Sequence, residues 1–121
     1  MNNDYILGGR MEKIEEYSIL IARIEYADGT GSKSRPAMVI EFNDEVIKTY
    51  RLTTKYENKS DRIKSKYFEI IDWFRAGLEK PSWIDTVQAY ELDRKKIKIQ
   101  IIGNLTDRDI VRLKDFLSNI D

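Results

Sequence analysis

Apolar positions recur along this chain in short bursts with no long unbroken period, and the bursts set the expected elements. Residues 18–26 (SILIARIEY) are rich in β-branched side chains and partly alternate, which predicts a strand. Residues 27–34 (ADGTGSKS) carry turn signals and predict a loop. Residues 37–42 (AMVIEF) predict a second, central strand. Asn43-Asp44-Glu45 then marks a hairpin turn into residues 46–54. There Ile47, Thr49, Arg51 and Thr53 share one face, while Val46, Lys48, Tyr50, Leu52 and Thr54 share the other.

Residues 55–66 are charged and aperiodic, so they predict a solvated loop. Residues 67–78 fit two patterns. Phe68, Ile71, Phe74 and Leu78 make a helical stripe, and Tyr67 to Ile71 equally suits a strand entering a short helix that Gly77 ends. Pro81 stops either one. Residues 82–92 and 97–102 predict two further strands around a turn at Asp93-Arg94-Lys95-Lys96.

The last element is the clearest. Thr106 is an N-cap with Asp109 three residues on, a variant of the capping box. Ile110, Leu113, Phe116, Leu117 and Ile120 follow at three- and four-residue spacing, so one helix face packs on the sheet. The expected class is α+β, mainly β: a small curved sheet or barrel of five short strands with a C-terminal helix. Residues 1–16 predict a polar, mobile lead-in, or a short strand at most. Residues 17–121 form the single domain that 121 residues can supply.

Composition narrows the chemistry. Basic and acidic residues balance at 21 each, which argues against a bulk polyanion binder but leaves room for a local basic face. The chain has no cysteine and no histidine. It therefore lacks thiolate ligands, the commonest general base and the commonest metal ligand. No apolar run approaches membrane-spanning length, and the N-terminus lacks the marks of a signal peptide, so a cytoplasmic protein is expected.

Three stretches carry candidate chemistry. In Gly31-Ser32-Lys33-Ser34-Arg35-Pro36, a glycine-containing loop can expose N–H groups to an anion, and Arg35 adds a planar fork suited to phosphate. Pro36 fixes the backbone beside it. The same residues also make an ordinary surface turn. Leu52-Thr53-Thr54 ends a strand with hydroxyls that can position a phosphate or ribose oxygen, although threonine is a common strand residue. From Lys48 to Lys66, seven basic residues against two acidic ones give a net charge of +5. Arg51 and Lys55 lie in that run, and Tyr50, Tyr56 and Tyr67 interleave with it, as a single-stranded RNA groove requires. A solvated loop with half-buried tyrosines fits the run as well. Trp73 and Trp83 are read as core or interface anchors.

The order of these pieces resembles the MazF/PemK family of toxin endoribonucleases. A strand, a Gly-Ser loop, Arg35-Pro36-Ala37 with its apolar run, and a strand ending Leu52-Thr53-Thr54 carry the resemblance. The Gly77-Leu78-Glu79-Lys80-Pro81-Ser82-Trp83-Ile84 segment and Ile102-Gly103-Asn104-Leu105-Thr106 before the final helix extend it across residues 17–120. The resemblance implies an SH3-like barrel of the CcdB/MazF/PemK type, commonly a homodimer. It implies cleavage of single-stranded mRNA with no metal or cofactor, through 2′-OH attack to a 2′,3′-cyclic phosphate and a 5′-OH end. A cognate antitoxin with a disordered tail would neutralise it. Arg35 and Thr53 would be the catalytic pair, with Thr54 the adjacent substitute for a register one residue on. Ser32, Lys33, Ser34, Arg51, Thr54, Lys55, Tyr56, Ser82 and Gln88 would contact RNA. Where many members carry an acidic residue and a glutamine in the glycine loop, this chain has Lys33 and Ser34, so no loop carboxylate is assigned an acid–base role. The alternative is a non-catalytic module on the same fold, like the gyrase-inhibiting CcdB toxins.

Overall fold

The computed structural model describes residues 4–7, 10–25 and 28–120. Strands β1 (Asp4–Leu7) and β2 (Arg10–Lys13) pair with each other as an antiparallel two-stranded sheet. The Gly8-Gly9 pair lies outside the described residues. Six strands make the main sheet: β3 (Ser18–Glu25), β4 (Ser32–Phe42), β5 (Val46–Thr53), β6 (Tyr67–Glu69), β7 (Trp83–Asp93) and β8 (Lys98–Asn104). Every pairing is antiparallel, in the order β6-β7-β5-β4-β3-β8. Among the described residues there are two helices, α1 (Asp61–Lys64) and α2 (Asp107–Asn119). The mainly β, α+β class is as the pattern predicts.

Both faces of the sheet carry apolar cover. On one face Ile19, Met38, Leu52, Ile84 and Phe68 pack with Leu113 of α2 and with Ile70, Ala76 and Leu78 of the segment after β6. On the other, Leu20, Ala22, Ala37, Val39, Ile47, Leu92 and Ile101 form a second cluster with Ile14. Ile101 and Leu92 belong to strands separated by three others in pairing order, so the sheet curls in a barrel-like way. Cover on both faces explains the unbroken runs Ile19-Leu20 and Ala37-Met38-Val39: consecutive strand residues point oppositely, yet both are buried. Ile14 is 1% exposed, so the packed body begins within the segment read as a polar lead-in.

Several boundaries differ from the expectation. The loop over residues 27–34 is shorter, because β4 starts at Ser32 and pairs with Glu25. Asp28 turns the chain there by accepting from the Thr30 N–H and hydroxyl at 3.0 and 2.7 Å, and Gly29 adopts φ 74°. Tyr26 and Ala27 lie outside the described residues. Arg35 is therefore a strand residue, opposite Ala22. The charged stretch 55–66 holds α1, capped by the Ser60 side chain. Residues 67–78 resolve into β6 and then a run of hydrogen-bonded turns. Ala76, Gly77 and Leu78 donate to the carbonyls of Asp72, Phe74 and Trp73 at 3.0–3.1 Å. The hairpin at Asn43 forms as expected, with its side-chain carbonyl accepting from the Glu45 and Val46 N–H groups.

Thr106 caps α2 by accepting from the Asp109 N–H, as expected. The Asp109 carboxylate does not turn back on the cap. It is fully buried and accepts from the Ile71 N–H (3.3 Å), the Asp72 N–H (2.8 Å) and Arg112 (2.6 Å). Asp72 in turn accepts from the Thr106 hydroxyl at 2.7 Å and from two Arg108 nitrogens at 3.0 and 2.6 Å. This network ties the 70–78 segment to the start of α2.

Candidate functional site

Register decides which of the candidate side chains meet. Pairing between β4 and β5 ends at Ala37 opposite Arg51. Arg35 is two residues beyond Ala37 and Thr53 two beyond Arg51, so both lie on the face that carries Ala37 and Arg51. They occupy matching positions on neighbouring strands where the ladder has opened. Opposite Thr53 on β7 is Trp83, and opposite Arg51 is Asp85, which also faces Tyr67 of β6. One polar sheet end therefore gathers Lys33, Arg35, Arg51, Thr53, Trp83, Asp85 and Tyr67.

These groups are unequally committed. Arg35 is exposed, and among the described residues its side chain has no hydrogen-bonding or ion-pairing partner. Arg51 lies 3.8 Å from Asp85 with its guanidinium 4.9 Å from the Tyr90 ring centre, so its charge is already partly answered. The Asp85 carboxylate also accepts from the Val87 N–H at 2.9 Å. Burial, and then the Asp85 carboxylate beside it, pushes the Tyr67 phenol above its ordinary value, so at neutral pH it is protonated. The Thr53 hydroxyl accepts from the Lys55 N–H at 3.0 Å, which fixes the turn leaving the strand and orients the oxygen.

Tyr56 is not a free stacking platform. Its ring lies parallel to Trp83 with centroids 4.8 Å apart, and the Lys64 ammonium sits 4.9 Å from its centre. The pair walls one side of the polar face. Within the basic run, Lys48 pairs with Glu41 at 3.6 Å, so the +5 is concentrated less on one groove than along the chain. Lys55 is exposed beyond Thr53. Gln88 is exposed in β7, where residues 86–88 bulge out of register between Ala89 and Asp85.

The remaining candidates lie on the opposite face. Ser32 and Ser34 alternate with Lys33 and Arg35, and Ser32 accepts from Arg23 Nε at 3.0 Å. Thr54 follows Thr53 and Ser82 precedes Trp83, so both turn the other way. They line a cleft of ≈ 340 Å³ with Ile21, Pro36 and Ile102 on the sheet side. Gly77, Leu78, Glu79 and Lys80 close the other side. Ser82 is nearly buried and donates to the Lys80 carbonyl at 2.9 Å, which shapes that loop. Nine residues thus assigned to one RNA surface divide between two faces, because strand alternation separates neighbours in sequence.

The loop at 77–80 exists because two glycines let backbones touch. A Cβ on Gly103 would collide with the Ala76 carbonyl, and one on Gly77 would collide with the Ile102 carbonyl. Gly77 also adopts φ 94°. Nothing local in the sequence signals that contact, nor the role of Asp85 and Tyr67, which alternate like any strand residues. Among the described residues, no group of three or more acidic side chains is placed to hold a metal ion, and no helix is long and apolar enough to cross a membrane. No protein-family model matches the chain, and no curated protein matches it significantly.

Proposed function

We propose that this protein is a metal-independent endoribonuclease acting on single-stranded RNA, with Arg35 and Thr53 as its catalytic pair. The observation that carries the reading is the matched position of these two side chains on one face of adjacent strands, with the Arg35 guanidinium uncommitted. The order of motifs that resembles MazF/PemK toxins supports it.

RNA brings its own nucleophile. The 2′-oxygen bonds to phosphorus, the bond to the 5′-oxygen breaks, the 2′ proton departs and the 5′-oxygen gains one. Negative charge builds on the non-bridging oxygens as this happens. A guanidinium fork held against them stabilises the transition state more than the ground state, and a hydroxyl orients the same group. Removing one such donor costs roughly 10²–10³ in rate. On this reading a second copy of the chain and an acidic antitoxin segment are the protein partners, the latter screening Arg35 and Lys33.

The test is incubation of the purified protein with a long single-stranded RNA in excess EDTA, with product ends mapped, beside Arg35→Ala and Thr53→Ala. Discrete cuts leaving 5′-OH ends, slowed at least about a hundredfold in Arg35→Ala, are expected. Intact RNA, or full activity in both folded variants, would sink the assignment; intact RNA would leave a non-catalytic binding module on this fold.

A further inference from the structure

We infer that the cleft behind Arg35 is a base subsite, which receives one unpaired base of the RNA whose phosphate rests on the opposite face. This inference rests on the single-stranded RNA reading above.

Shape and lining point to a flat, partly polar ligand. At ≈ 340 Å³ the cleft falls within the size range of small-molecule sites. Ile21, Pro36, Leu78 and Ile102 offer apolar contact to the faces of a ring. The exposed rim carries hydrogen-bonding groups that make no bond within the protein and so are open to a ligand. Among the described residues, no acceptor takes the Glu79 or Lys80 N–H, and the Thr54 hydroxyl has no partner. Donors fixed on a backbone, beside apolar walls, suit the edge of a nucleobase.

The ladder between β4 and β5 ends at this point. No β4–β5 pairing continues past Ala37 and Arg51, and Pro36 has no N–H to offer. Arg35 and Thr53 sit at these strand ends on one face, and their neighbours Pro36 and Thr54 line the cleft on the other. The base and phosphate of a nucleotide lie at opposite ends of its sugar. One nucleotide can therefore straddle the strand ends with its phosphate at Arg35 and its base against Pro36. The loop that forms the far wall is pinned by the Gly77–Gly103 approach and by Asp109, so the site is built before ligand arrives.

The experiment is a titration of the full-length, isotope-labelled protein with a pool of 2′-O-methyl RNA hexamers, which cannot be cut, followed by amide resonances. Signals from 77–80 and Ile102 should move together with those of 33–35 and 53–54. Thr54→Phe, an exposed position at a strand end, should place a ring over the cleft, silence the shifts at 77–80 and weaken binding about tenfold. Movement confined to 33–35 and 53, with 77–80 still, would overturn the base subsite and leave the catalytic reading standing. No movement on either face would overturn both. Movement at the cleft, together with unmodified RNA that stays intact, would uphold the base subsite and reject the nuclease.

Discussion

Replacing Asp109 with alanine should destabilise this protein strongly. Its carboxylate is fully buried and serves three donors: the N–H groups of Ile71 and Asp72 and the Arg112 guanidinium. A hydrogen bond to a charged group contributes about 1.5–3 kcal/mol, and donors stranded in the interior add their own desolvation cost. The three do not count equally. The bond from Ile71 is long, and the Arg112 side chain is about a third exposed, so water can answer part of its charge. The expected loss is therefore about 3–5 kcal/mol, the range for breaking a buried charged network from one side. That is a large share of the roughly 5–15 kcal/mol that holds a domain together. Thermal unfolding followed by circular dichroism should show a midpoint lower by roughly 10–20 °C, with urea titration giving the free energy directly. Asp109→Asn keeps the volume and one acceptor, so it should fall between the two. A loss below about 1 kcal/mol in Asp109→Ala would show that the 70–78 segment is held by its apolar contacts alone.

Two further predictions concern the same region. Gly103→Ala should cost about 2–3 kcal/mol, because the added methyl meets the rigid Ala76 carbonyl and the contact can ease only if the turn lifts from β8; a neutral effect on the urea midpoint would refute this. Asp72 should shape the acid limb of stability. The Arg108 guanidinium, helped by the Thr106 hydroxyl, holds its carboxyl below the usual range. Its contribution is therefore complete above the ordinary carboxylate value near about pH 4 and fades as pH falls through the lower, folded one. Asp72→Asn should flatten that limb below about pH 4, and an unchanged slope would exclude the pairing as its cause.

Much of the architecture was legible from local pattern. The three- and four-residue spacing from Ile110 to Ile120, with Thr106 ahead of it, specified α2, because a helix is closed by near neighbours. Asn43 specified its hairpin for the same reason. The strand signal from Ser18 held as far as Glu25, that at 37–42 held within β4, and that from Val46 held as far as Thr53, because β-branched and alternating residues have few other ways to bury one side. Strand β6 was visible only as one of two possibilities, since three residues are too few to establish a period.

What the sequence could not determine is everything fixed by a partner distant along the chain. The start of β4 at Ser32 depends on Glu25 across the hairpin, not on the turn-forming residues themselves. Asp109 reads as a cap because its partners, Ile71 and Asp72, lie some 38 residues away. Tyr56 reads as a free platform until Trp83 is brought against it. Arg35 and Thr53 were named from motif order, but only register sets them on one face and turns Thr54 and Ser82 to the other. Chain order constrains periodicity; the pairing of strands decides which side chains share a surface.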